Sequence, residues 1–498
     1  MSRLEADVLV IGQGLAGAVS ALRAAESGLK VLVLSSGQPS TSWAQGGIVY
    51  RGEGDPSSLA QDIWTSGCRV GNREAIDLVA NEGPRAVEEW LRDRLKVPFD
   101  GDLALEAAHS VPRILHAKDS SGAAISKTLD EALAKHPSIE RREGHLVDLL
   151  VTDRHDARSA KQYARSRVVG AYFFVPGQGV QPVVARSTVL ATGGFSRLFL
   201  HSTGPSSARG EGIAAAHHAG ARTQQLEFVQ FHPTALFTKD GPRRLLTEAL
   251  RGAGARLLNL QEKEFVDPLA ARDVVARAIH EEMLHAGSRH VWLDLRGIPD
   301  IKERFPWVCA KIVEHGLDPT RALIPVVPAA HYTLGGVWTD LQAATSLEGL
   351  FAAGEVACTG LHGANRLAST SLLEALVFGD RAGKSAVLKA REAIDFEPRP
   401  WRSENGSLDP ALLQQDWQTL RQTLWNYVGL VPSGRRLRRA ERILVELRTE
   451  VESFYKRTEL SPDLIALRHG VLVATLVLYA ALRNTESLGV HYLRADES

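Results

Sequence analysis

Cysteine is scarce: Cys68, Cys309 and Cys358 are the only three in 498 residues. Their odd number and wide spacing argue against a disulfide framework and against a Cys-x-x-Cys metal site, and point to a reducing compartment, the cytoplasm. Net charge is also missing, because 58 Lys and Arg balance 58 Asp and Glu. No overall field draws the chain to nucleic acid or to an anionic membrane, so any attraction for an anion must be local. No metal, nucleic-acid or membrane partner is expected. The longest apolar run, Gly470 to Leu482, spans 13 residues, short of the roughly 20 that a membrane-crossing helix needs; it reads as a buried helix. The opening MSRLEADVLVIGQG lacks a basic stretch leading into a long apolar core and a cleavage site, which argues against secretion. It reads as a first strand.

Apolar residues and glycine are abundant, at 44% and 43 residues, enough to bury the cores of about two to four structural units. Asp7 to Ile11, a glycine-rich turn, an alanine-rich stretch from Ala16 to Glu26 and a second run ending at Leu34 predict a βαβ unit. Continuously apolar strands predict a parallel sheet covered on both faces. STVLATGG, ending at Gly194, and GLFAAGEVA, from Gly349 to Ala357, supply further strands of one nucleotide-binding domain. Between them, from about Phe228 to Thr333, a segment dense in His, Arg and Pro predicts an inserted domain returning to the same sheet, and such interfaces hold ligands. Beyond Pro400, Asp409 and Pro410 give a helix start, and Leu413, Trp417, Leu420, Leu424 and Val428 follow helical spacing. Arg435, Arg436, Arg438 and Arg439 read as a solvated helix face, because Leu437, Leu444 and Leu447 form a buried stripe beside them. The expected division is residues 1–229 with 334–400, residues 230–333, and a helical bundle over 401–498.

Gly12, Gly14 and Gly17 form G-x-G-x-x-G between the first strand and its helix. The first allows the turn, the second close approach to a pyrophosphate, and the third tight helix packing, with the helix N-terminus offering N–H groups to the anion. The acidic residue that often closes the second strand is missing, since Leu34 is followed by Ser35 and Ser36. The motif alone leaves FAD and a nicotinamide dinucleotide both open.

Six further segments occur in order: SWAQGGI (Ser42 to Ile48), LEFVQFHPTAL (Leu226 to Leu236), LLTEALRGAGA (Leu245 to Ala255), ARDVVARAI (Ala271 to Ile279), HYTLGGV (His331 to Val337) and LHGANRLASTSLLEALVFG (Leu361 to Gly379). Together they resemble the flavoprotein family of L-aspartate oxidase, fumarate reductase and succinate dehydrogenase, over nearly the whole chain. The resemblance implies a Rossmann-like α/β domain for FAD, an inserted α+β capping domain and a C-terminal helical domain. Carried over by motif, Gly12, Gly14, Gly17, Ser35, Gln45, Gly46, Gly47, Glu355, Ser371 and Leu372 would contact FAD. Glu211 would do so where the family has Asp in a GDG triplet. Succinate and fumarate enzymes often link flavin to a His five residues before the Gln of AQGG; Ser40 stands there, which implies noncovalent FAD.

A four-carbon dicarboxylate needs several fixed cationic or polar donors. His232, Arg272, His331 and Arg366 resemble such positions in the family, as do Thr247, Glu248 and Ser369. Arg272 resembles the family's proton-transfer arginine, either relaying a proton with Glu248 and Arg251 or only stabilising charge, as guanidinium ordinarily does. Asp273 and Arg277 are surface ion-pair partners at helical spacing on the alternative reading. Glu106 lies in EAAHSVPRILHAKD, which resembles an EGGHS segment of the aspartate oxidases. A carboxylate there would select an amino acid over succinate, although Ala107 and Ala108 replace the glycines and imply a different loop path. His109, Ser110, Arg113 and His116 receive no role.

The implied reaction is oxidation of L-aspartate to iminoaspartate, with dioxygen or fumarate as acceptor. Quinolinate synthase would take the product toward NAD. A fumarate reductase or succinate-oxidising flavoprotein, and a non-catalytic FAD-binding interaction protein, are the alternatives. LASTSLLE resembles the oxidases' LASNSLLE more than the GANSLLD form, with Thr370 in place of Asn.

Overall fold

A computed structural model describes residues 4–118, 120–163, 165–238, 243–402 and 404–496. The first strand, Leu4–Ile11, pairs in parallel with Val31–Ser35 on one side and with Gly179–Leu190 on the other. Ile11, Leu34 and Leu190 are register partners, and Ala352 of strand Leu350–Ala352 pairs with Leu190. The two chain-distant glycine-punctuated strands therefore finish beside the first two. Their following turns all leave one edge of the sheet, the place where open α/β sheets hold ligands.

This seven-stranded sheet is mixed rather than wholly parallel. His145–Val151, Val168–Val175 and Gly179–Leu190 form an antiparallel meander. A tight hairpin joins the last two, with Gly177 at φ +76°, a conformation glycine adopts without steric cost. Helix Leu15–Glu26 covers one face and packs on helix Thr370–Lys389. Small residues make that contact so close that a Cβ on Gly379 would lie 2.8 Å from the Ala16 backbone. The Ser20 hydroxyl donates across it to the Gly379 carbonyl at 2.7 Å. The helix after the glycine turn is thereby fixed to the helix that begins at Thr370.

The chain from Val229 to Thr333 builds a separate five-stranded sheet. Val229–Leu236 and Leu323–Thr333 pair antiparallel at its centre. Helix Arg272–His285 buries Val275, Ala276, Ile279 and Met283 toward it. The register of the central pair slips by one: Gln230 opposes Tyr332, and Phe231 opposes Ala330. His331 is the extra residue of a bulge, a device that re-aims a side chain.

In the C-terminal part, helix Pro410–Thr423 starts where the sequence indicates, with the Asp409 side chain accepting from the Ala411 N–H at 2.9 Å. Helix Gly434–Arg457 buries Leu437, Leu444 and Leu447 and exposes Arg435, Arg438 and Arg439. Helix Pro462–Arg483 is long and apolar enough to cross a membrane. Most of it is buried within the fold, from Leu464 to Ala481.

Candidate active site

One cavity of about 480 Å³ runs from the glycine turn to the central strands of the second sheet. At one end Gly12 takes φ +110°, and a Cβ there would meet the Ala191 carbonyl oxygen at 2.1 Å. Gly14 stands at the N-terminus of helix Leu15–Glu26 and supplies no side-chain cap, and the Thr41 hydroxyl accepts from the Leu15 N–H at 3.0 Å. Ser35, Ser36 and Glu211 line the same end. Burial pushes the Glu211 carboxyl up to about 7, against the pull of Arg209 and of a hydrogen bond from Ser36.

Further in, strand Ile48–Val49 pairs with Ile114–Leu115. Gly47 fits because a Cβ would lie 2.0 Å from the Leu115 carbonyl oxygen. Gln45 donates Nε2–H to the Leu245 carbonyl at 2.9 Å, and Arg244 stacks on Trp43 at 4.6 Å. Strand Arg244–Leu245 is thus tied to the AQGG loop. Glu355 accepts from the Thr333 N–H and hydroxyl at 2.9 and 3.1 Å. Burial outweighs both bonds and raises Glu355 to about 7. Ser371 and Leu372 line the wall from the first turn of helix Thr370–Lys389.

The other end gathers cations. Arg366 is 6% exposed, and its guanidinium lies over the Tyr332 ring at 4.7 Å. Among the described residues no carboxylate lies within ion-pair distance of it, and its Nε is buried without a partner. Burial, and then Arg272, lowers it to about 10, so it stays charged at neutral pH. Arg272 donates Nε–H to Glu248 Oε2, and Arg251 Nη2 lies 3.1 Å from Glu248 Oε1. Burial pushes Glu248 up, but the two arginines prevail and hold it below its ordinary value.

Burial, followed by Arg272, His331 and Arg251, pushes His232 well below the usual imidazole range. Its Nδ1 accepts from the Thr234 N–H at 3.2 Å, which leaves Nε2 as a donor in the neutral ring. His331 is likewise pushed down by burial, then by Arg366 and Arg272. Its Nδ1 lies 2.9 Å from the Thr203 hydroxyl. The two imidazoles meet edge to face at 5.8 Å.

Glu106 enters from a separate loop, where the Ser369 hydroxyl donates to its Oε2 at 2.7 Å. Gly46 lies alongside, where a Cβ would be 3.3 Å from Glu106 Oε1. Arg113, fully buried, anchors the loop through Asp55 at 2.8 Å and Asp62 at 3.1 Å. Asp62 also accepts from Ser110 N–H and hydroxyl, and His109 donates Nε2–H to the Ala368 carbonyl at 3.0 Å. Ala108 adopts φ +65°, a left-handed conformation that glycine takes without steric cost.

Every residue proposed from the sequence lines this cavity except Gly17. A Cβ on Gly17 would meet the Gly12 carbonyl oxygen at 2.1 Å, so this glycine lets the helix pack closely on the turn. Asp273 and Arg277 pair with each other at 2.7 Å and stay outside the lining. Sequence reasoning passed over Thr203, which orients His331, and Tyr332, which lies under Arg366. HYT contains Tyr332, but nothing in the motif shows which way the ring faces.

FAD fits the residues present. The helix N-terminus behind Gly14, where no side chain of Gly14 stands in the way, suits a pyrophosphate. Gln45 Oε1 and Thr192 Oγ1 are buried in the wall with no protein partner, and buried polar atoms ordinarily have one.

A family of FAD-binding domains matches residues 7–372, so the class is an FAD-binding flavoprotein. Within it the chain belongs to the L-aspartate oxidase family. It is 39% identical to the L-aspartate oxidase of Yersinia pestis, covering 98% of this chain and 95% of that one. The Halobacterium salinarum enzyme is 41% identical, with 99% and 97% covered. Among solved structures, a quinol-fumarate reductase with menaquinol molecules is 26% identical at a TM-score of 0.86, covering 99% of this chain and 93% of that one. Mycobacterium smegmatis Sdh1 is 28% identical at 0.84, with 99% and 89% covered.

Proposed function

We propose that the protein oxidises L-aspartate to iminoaspartate with noncovalent FAD, and that dioxygen or fumarate takes the electrons. The observation that carries this reading is Arg366, a buried cation without a carboxylate partner among the described residues, facing a cavity that also holds Arg272, two neutral histidines and the carboxylate of Glu106, which no arginine claims. Two arginines answer two substrate carboxylates, and Glu106 answers one ammonium.

FAD would be held by Gly12, Gly14, Ser35, Gln45, Gly46, Gly47, Glu211, Glu355, Ser371 and Leu372. When bound it supplies a two-electron acceptor. The protein's own residues do the rest. Arg366 takes one carboxylate on a guanidinium that has no competing anion. Arg272, held in place by its bond to Glu248, stands as a fixed cation at the other, with Thr247 beside it. His232 offers Nε2–H as a neutral donor, and Thr203 fixes the ring of His331. Glu106, steadied by Ser369, receives the ammonium and can take the proton it gives up. We divide the chain into residues 1–229 with 334–400, residues 230–333 and residues 401–498, a reading supported by the two larger sheets and the terminal helices. We place the protein in the cytoplasm, in keeping with three free cysteines, and its product with quinolinate synthase in NAD biosynthesis.

Peroxide release from the purified protein tests the reading. L-Aspartate is expected to exceed D-aspartate, L-glutamate and succinate. A preference for succinate would favour the fumarate reductase relatives' chemistry, and no turnover of any of the four would refute the assignment.

A further inference from the structure

We propose that Tyr332 and Glu374 act as a positioning pair for Arg366, with the Tyr332 ring serving as the platform that keeps its guanidinium charged and unclaimed until a dicarboxylate arrives. The inference rests on the dicarboxylate reading above. A buried guanidinium needs company, and a carboxylate is the ordinary choice. A carboxylate would also occupy the donors the substrate must use. An aromatic face stabilises a cation through its quadrupole and leaves the N–H groups free. Arg366 has that arrangement, 4.7 Å above Tyr332, and its Nη1 makes only long contacts with neutral groups, the Leu367 carbonyl at 3.5 Å and the Ser371 hydroxyl at 3.4 Å.

The ring is itself held. Tyr332 donates its hydroxyl to Glu374 Oε2 at 3.0 Å. His362 Nε2 lies 2.9 Å from the same oxygen, and the Thr359 hydroxyl donates to Oε1 at 2.5 Å. Glu374 and His362 are 2% and 4% exposed, so water does not replace these bonds. A phenol that donates to a carboxylate carries more electron density in its ring, which strengthens the pull on the cation above. Gln230 fixes the other side, donating Nε2–H to the Arg366 carbonyl at 3.0 Å. Neither Tyr332 nor Glu374 need touch the reacting atoms.

The test uses the FAD-loaded enzyme, with succinate affinity read from the change in visible flavin absorbance. Thermal midpoint and FAD content are measured alongside. Tyr332→Phe keeps the ring and loses the bond, and should weaken succinate binding roughly fivefold to tenfold with FAD retained. Tyr332→Leu should weaken it more. Glu374→Gln should match Tyr332→Phe, and the double variant should be no worse than either alone, because Glu374 acts through the ring. KM for aspartate should rise more than kcat falls. The inference is overturned if Tyr332→Phe holds FAD and binds succinate as the wild type does, or if the two effects add. It is also overturned if affinity falls only in step with lost FAD or stability. A wild type that binds no dicarboxylate overturns the dicarboxylate reading itself, whereas unchanged variants of a succinate-binding wild type overturn this inference alone.

Discussion

Arg272 donates Nε–H to Glu248, joining the first turn of helix Arg272–His285 to the short helix Ala249–Gly252 that Glu248 caps. The bond holds Arg272 at the cavity wall without neutralising the site, because Arg366 and Arg251 remain as further cations. Arg366 differs in having an aromatic face beneath it and no carboxylate partner among the described residues.

Arg272→Leu and Arg366→Leu should each lower aspartate oxidation by about 10²–10³, the loss typical of removing a fixed charge that stabilises the transition state. FAD should remain bound, because the Gly12–Gly14 turn and the Glu355–Thr333 contact lie elsewhere in the wall. Turnover and flavin absorbance measured on the same preparations decide it. Near wild-type turnover in either variant would remove that arginine from the active site.

Stability should fall in acid, and the sign follows from buried imidazoles. Burial is the leading cause that lowers His201 and His469 to about 3 and His218 and His280 to about 4. The unfolded chain protonates these rings near 6.5 and the fold does not, so the unfolded state binds more protons as pH drops below about 6.5. Burial opposes this at Glu211 and Glu355, raised to about 7, and at Asp148, raised to about 6. Those carboxyls take protons in the fold first and gain stability down to about their ordinary values. Below about 4.5 the histidines are joined by Asp294 and Asp156, which hydrogen bonds from Arg296 and Arg158 hold at about 2. Thermal midpoints measured from pH 7 to 3.5 should drop most steeply below 4.5. A midpoint that rises through that range would contradict the neutral buried histidines.

Much of this architecture is legible in the sequence because its signals are local. The glycine turn, the apolar strands and the Asp409–Pro410 helix start each occupy a few consecutive residues. Motif order supplied the cavity's polar groups, from Gln45 to Arg366. The antiparallel meander between His145 and Leu190 was not legible, since a buried antiparallel strand and a parallel one share the same apolar runs. Nor was the aim of His331, which depends on a one-residue slip against Gln230. Tyr332 and Glu374 are 42 residues apart, and only the packing of helix Thr370–Lys389 brings them together.

FAD should leave the protein on acid precipitation. By the resemblance around AQGG, Ser40 would stand where succinate and fumarate enzymes carry a flavin-linking His, and a hydroxyl does not replace imidazole in that bond. Ser40 lines the cavity in the short helix Ser40–Trp43. Yellow colour is expected in the supernatant after trichloroacetic acid, with a colourless washed pellet. Flavin retained in the pellet would show a covalent link through some other residue.

Glu106 should set the preference for an amino acid. Its carboxylate meets the Ser369 hydroxyl on one oxygen and lies beside Gly46 with the other, and Arg113 anchors its loop from below. A charge-assisted contact to the substrate ammonium contributes roughly 1.5 to 3 kcal/mol, and about 1.4 kcal/mol corresponds to a tenfold ratio. Glu106→Gln keeps the shape and the Ser369 contact while removing the charge. Aspartate oxidation should fall by roughly tenfold to a hundredfold on that arithmetic. Fumarate reduction should fall much less, because fumarate has no amine to hold. Both rates are measured on one FAD-loaded preparation, so damage to the shared cavity would lower them together. Equal losses would make Glu106 a structural or shared proton-transfer group, and an unchanged aspartate rate would place the ammonium elsewhere.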